Sequence, residues 1–96
     1  MSDCYPMRAA NLASRVLRGK AIIMNPVDSG LFDLNETATL IWLAADGRTA
    51  LREIVEREVC PRFEIDPETA LRDAEGLVRE LAAHSVFIVA EEPAGE

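Results

Sequence analysis

The side chains able to do chemistry are few and scattered. His84 is the sole histidine, and no cysteine lies within a few residues of it, so it belongs to no zinc motif and reads as a surface or helix-end residue. Cys4 and Cys60 are too distant for a CxxC redox pair and too few for a metal site or a disulfide framework; both are expected to be free thiols. Glu53, Glu56 and Glu58 interleave with Arg52 and Arg57, the pattern of a solvated helix face rather than of a metal cluster. Glycines 19, 30, 47, 76 and 95 fit no phosphate-binding loop, and no nucleophile set is visible. The chain is therefore expected not to be an enzyme and to need no cofactor or metal.

Charge narrows the partners. Seventeen acids against ten bases give a net charge of −7, which repels nucleic acid and anionic membranes. The balance is uneven: the segment up to Gly30 carries four bases and two acids, the remainder six bases and fifteen acids. The residues from Met1 to Ala10 hold no apolar run of signal length and no stretch is apolar enough to span a bilayer, so a cytoplasmic location is expected.

The elements that must position any site follow from periodicity. At 96 residues and 49% apolar composition the chain makes one small folded domain, 1–96, with its core over about 12–90 and loose ends. Short apolar runs cut by Arg18-Gly19-Lys20 and by Asn25 to Gly30 predict three strands, about 12–18, 20–25 and 30–34, joined as an antiparallel meander. The third would have one unpaired side unless a later segment covers it. From Asn35 the period becomes helical. Asn35 caps a first helix carrying Ala38, Ile41, Trp42 and Ala45, closed by Asp46-Gly47. Thr49 is placed to cap a second, with Leu51, Ile54, Val55 and Val59, ended by Pro61. Asp66 and Pro67 open a third, running to about Ala83 with Ala70, Leu71, Ala74, Leu77, Val78 and Leu81 as its apolar stripe. Residues 85–90 form a last strand or a packed segment, and Glu91 to Glu96 a solvated tail. The expected fold is α+β and winged-helix-like: a three-stranded meander followed by three helices.

A winged-helix shape raises DNA binding, but the polar face of the third helix, with Glu68, Arg72, Asp73, Glu75, Arg79 and Glu80, is net acidic, against what a recognition helix needs. Glu68–Arg72 and Glu75–Arg79 are spaced as intrahelical i, i+4 pairs, unless the arginines meet a partner. Trp42 and the aliphatic stripes read as core. Gly76 interrupts the third helix at a cost of about 1 kcal/mol relative to Ala, with no local reason beyond close approach of another chain.

Leu34-Asn35-Glu36-Thr37-Ala38, Ile41-Trp42, Asp46-Gly47-Arg48-Thr49, Ile54-Val55 and Asp66-Pro67-Glu68 together resemble the PqqD-like family over about residues 12–82. The LNETA and DGRT motifs fix both ends of one helix at a set distance. The resemblance implies a small peptide-recognition domain of ribosomally made, post-translationally modified peptide pathways, among them pyrroloquinoline quinone biosynthesis. Such a domain takes the leader of a precursor peptide as an added strand on its third strand, against its third helix, and presents it to a modifying enzyme, often a radical SAM protein. An unpaired third-strand edge beside an amphipathic helix is what strand addition needs. The residues expected to carry it are Gly30, Leu31, Phe32, Asp33 and Leu34 as the pairing strand, with Arg72, Glu75 and Arg79 reaching the peptide from the third helix. A homodimer through the same edge is an alternative use of it. Other readings are an acidic winged-helix regulator or assembly module binding a protein, and a small subunit completing an enzyme's active site through His84.

Overall fold

A computed structural model of the chain describes residues 4–10, 12–26 and 30–94. Strands β2 (Ala13–Leu17), β3 (Lys20–Asn25) and β4 (Gly30–Asp33) form an antiparallel sheet in the order β2-β3-β4, the predicted meander. The β2–β3 hairpin turns on two residues of positive φ, Arg18 at 56° and Gly19 at 79°, the conformation of the tightest hairpin loops. Part of the second predicted turn, residues 27–29, lies outside the described residues. In β3 the alternation is complete: Ala21, Ile23 and Asn25 are buried while Lys20, Ile22 and Met24 face outward.

The predicted helices are present. In α1 (Glu36–Ala44) the Asn35 carboxamide oxygen accepts the Ala38 amide at 2.8 Å, and Ile41 and Trp42 are buried. The second helix departs from expectation at both ends. Ala50, not Thr49, occupies its cap position and offers no side chain; the Thr49 amide and hydroxyl instead bind Asp46 at 2.9 and 3.2 Å, closing the turn after α1. Nor does the helix stop at Pro61. After α2 (Leu51–Ile54) the ladder slips into a π-helical turn, Val55–Val59, in which the Cys60 amide donates to the Val55 carbonyl five residues back. Pro61, which has no amide to donate, then sits in the first turn of α3 (Cys60–Phe63), where none is needed. The chain leaves that turn through Glu64 at φ 53°. The long amphipathic α4 (Pro67–Ala83) starts from Asp66, whose carboxylate accepts the Thr69 amide at 3.1 Å.

Strand structure begins before the expected core limit of about residue 12. Tyr5–Arg8 is a strand, β1, antiparallel to β5 (Phe87–Ala90). On its other side the Gly47 amide donates to the Pro6 carbonyl at 2.9 Å and the Arg8 guanidinium caps the end of α1 at the Trp42 and Leu43 carbonyls. The C-terminal segment is both alternatives at once, strand and core: Val86 and Phe87 are buried, while Ser85 and Ile88 to Ala90 are exposed. Beyond it the Ala94 amide donates to the Gly47 carbonyl at 2.7 Å, so the described part of the tail is tethered. The core is one cluster of Ala21, Ile23, the inner faces of α1, α2 and α4, and Val86 and Phe87. Cys4 and Cys60 form no disulfide among the described residues, and both are partly buried against it.

Candidate functional site

Strand β4 pairs with β3 alone among the described residues, so one edge is open. The ladder phase is fixed by the Leu34 amide, which donates to the Ala21 carbonyl at 2.8 Å, and by the register Ile22–Asp33, Ile23–Phe32 and Met24–Leu31. Hydrogen-bonded and non-bonded pairs alternate in an antiparallel ladder. The Phe32 amide therefore points to β3 like that of Leu34, and the amides of Leu31 and Asp33 point to the open edge. Side chains alternate the other way. Leu31 and Asp33 lie on the outer face of the sheet, and Leu31 is 62% exposed; Phe32 and Leu34 face inward. Phe32 lies with its ring centroid 5.1 Å from that of His84, at the end of α4.

Beside this edge a groove of about 340 Å³ runs between the end of β4, the first turns of α1 and one flank of α4. Leu34, Ile41, Val59, Ile65 and Leu77 give it apolar walls and Ala70 and Ala74 a shallow floor, while Asp33, at the end of β4 with its side chain on the outer face, borders the strand side and Asp73 the helix side. Among the described residues neither carboxylate has a hydrogen bond or ion pair within the chain. The small residues are what open the groove, since at Ala70 and Ala74 α4 presents only methyl groups toward α1.

Of the residues expected at the site, Asp33 and Leu34 line the groove, and Gly30, Leu31 and Phe32 precede them on the same open-edged strand, outside the lining. Arg72, Glu75 and Arg79 are not brought to it. At 100° per residue, Asp73 and Leu77 fall on one side of the buried Ala70–Ala74–Val78–Leu81 stripe, Glu75 on the other, and Arg72 and Arg79 roughly opposite it. The expected Glu68–Arg72 and Glu75–Arg79 ion pairs do not form among the described residues; Glu53–Arg57 does, at 3.0 Å between exposed side chains. Asp73, Leu77, Ile65 and Ala70 belong to the groove and escaped the sequence reading, although placing helix positions relative to the core stripe would have separated the Asp73 flank from the Arg72 face. Gly76 lies on the exposed back of α4, where an added Cβ would meet nothing within 4 Å. Nothing in the structure explains the glycine.

No group of three His, Cys, Asp or Glu side chains among the described residues could hold a metal, and no described helix is long and apolar enough to cross a membrane. No curated protein and no solved structure matches the chain. A family model described as coenzyme PQQ synthesis protein D (PqqD) matches residues 20–86, from the first residue of β3 to the residue before β5, and so takes in the open edge, the groove and every helix; the chain belongs to the PqqD family.

Proposed function

We propose that this domain is a non-catalytic accessory protein that binds the leader of a ribosomally made precursor peptide and presents it to a modifying enzyme. The pathway is pyrroloquinoline quinone biosynthesis or a related one, and the enzyme is of the radical SAM class or another peptide-modifying class. The observation that carries the reading is the open β4 edge standing directly over the groove beside α4. Strand addition draws affinity from main-chain hydrogen bonds and selectivity from pockets for alternate side chains, and both are present here: two outward amides, at Leu31 and Asp33, and an apolar groove on the inner side. Gly30 to Leu34 form the pairing strand. Arg72, Glu75 and Arg79, away from the groove, are left to contacts outside it.

Peptides selected from a randomised decapeptide display library on the immobilised protein provide the test. Bound peptide should slow hydrogen exchange at the Leu31 and Asp33 amides and leave Phe32 and Leu34 unchanged. Protection elsewhere with no change at Leu31 and Asp33 rejects the edge as the docking site.

A second reading, a module docking on a folded protein, draws on the outer sheet face, where Ile22, Met24 and Leu31 are exposed. It predicts that no short peptide is selected at all.

A further inference from the structure

We infer that the peptide taken at this site is cationic: an extended segment with aliphatic or aromatic residues at alternate positions, directed into the groove, and Lys or Arg beside the β4 edge. This rests on the strand-addition reading above and adds the chemistry of the partner. The argument starts from the faces of β4. A strand added at its edge continues the pleat, so the peptide residues in line with Phe32 and Leu34 point inward, and those in line with Leu31 and Asp33 point to the outer face.

Inward positions meet Leu34, Ile41, Ile65 and Leu77 over the Ala70–Ala74 floor, a surface that favours apolar side chains of moderate size. Between them, the outward position beside Asp33 meets a carboxylate that has no partner within the described chain. A second lone carboxylate, Asp73, stands on the α4 wall. The arginines of α4 that could have offset this charge, Arg72 and Arg79, point away from the groove. Two cations share the outer face with Asp33: Lys20, on β3 and diagonal to it beyond Ile22, forms no ion pair with it among the described residues, and Arg15 belongs to β2, opposite Ile22, with the whole of β3 between it and Asp33. Strands are spaced about 4.8 Å apart, so Arg15 is two spacings away. The chain's net charge of −7 acts in the same direction over longer range, drawing a basic segment in and repelling an acidic one.

The experiment is the composition of the peptides selected from the randomised decapeptide library, compared between the protein and its Asp33→Asn/Asp73→Asn variant, with folding checked by circular dichroism. Peptides selected by the unaltered protein should alternate apolar residues with Lys or Arg, enriched roughly fivefold over Glu and Asp, the scale an exposed ion pair supports. The enrichment should fall clearly in the double variant, whose remaining acidic charge acts only at long range, and shrink between about 0.05 M and 0.5 M salt. Selected peptides that are acidic or indifferent to charge, or a basic preference undiminished in the variant, overturn the inference and leave strand addition standing. If nothing is selected, strand addition fails and the inference with it. Should the variant fail to fold, the single Asp33→Asn and Asp73→Asn proteins decide, each expected to lose part of the preference.

Discussion

The Thr39 hydroxyl takes the place of a strand partner for Ala21: it accepts the Ala21 amide at 2.8 Å and reaches the Leu34 carbonyl at 3.5 Å. In an unbroken ladder that amide would donate to Leu34 itself, because Leu34 already donates to the Ala21 carbonyl. One buried side chain of α1 thus ends the β3–β4 pairing and fixes where the groove begins. Thr39→Val keeps the shape and removes the acceptor, leaving a buried amide unpaired, so it should cost about 1 to 3 kcal/mol. A denaturant midpoint equal to that of the unaltered protein would mean that the amide finds water or another acceptor.

Gly47 is required twice over. Its φ is 78°, and a Cβ there would stand 3.1 Å from the Met7 sulfur and 3.3 Å from the Met7 Cβ. Gly47→Ala should therefore strain the turn and push β1 away, lowering stability by about 1 to 3 kcal/mol. In the Met7→Ala background the contact with the sulfur is gone while that with the residue 7 Cβ remains, so the penalty should fall in part; an unchanged penalty would assign it to φ and the Cβ contact rather than to the sulfur.

Asp46 gives the turn after α1 a pH dependence. Its carboxylate accepts the amides of Arg48 and Thr49 at 2.8 and 2.9 Å, and those bonds, that from Arg48 foremost, hold its pKa below the ordinary 3.8. A lowered folded-state pKa means stability that is fully present above the unfolded value and is lost as pH falls through the folded one. The unaltered protein should thus lose part of its stability below about pH 4 that Asp46→Asn does not lose, because the amide oxygen does not titrate. Parallel melting-temperature curves for the two proteins from pH 6 to pH 2.5 would show that the bonds do not distinguish the charged state.

How much was legible follows from how local each signal is. The Asn35 and Asp66 caps, the Arg18-Gly19 turn, the alternation of β3 and the stripe of α4 are written within a few residues and are where the sequence puts them. β1 is not, because four residues containing a proline carry no period and their partner lies at the other end of the chain, at Phe87–Ala90. The π turn was hidden since Pro61 reads locally as a stop, whereas a one-residue slip of the ladder lets the helix pass it. For the site, the free edge was legible from strand order, but the flank of α4 that faces it depends on which residues are buried. Charge alone points to the arginines, whereas the packing of Ala70 and Ala74 against α1 turns Asp73 and Leu77 toward the groove.

The phase of β4 makes the strand-addition reading testable residue by residue. Proline lacks the amide proton and is tolerated in a strand only where that proton pointed to solvent. Leu31→Pro and Asp33→Pro remove outward amides, so both should stay folded by circular dichroism and lose affinity for selected decapeptides. Phe32→Pro removes the amide directed at Ile23 and the ring that lies tilted against His84, so it should melt well below the unaltered protein. Asp33→Asn separates the two roles of that residue: it keeps the amide, and any loss it shows belongs to the carboxylate alone. If Leu31→Pro and Asp33→Pro both fold and bind with unchanged affinity, the open edge is not where the peptide docks. If they unfold while Phe32→Pro does not, the ladder phase is the reverse of that set by Leu34 and Ala21, and the peptide would meet the amides of Phe32 and Leu34 instead.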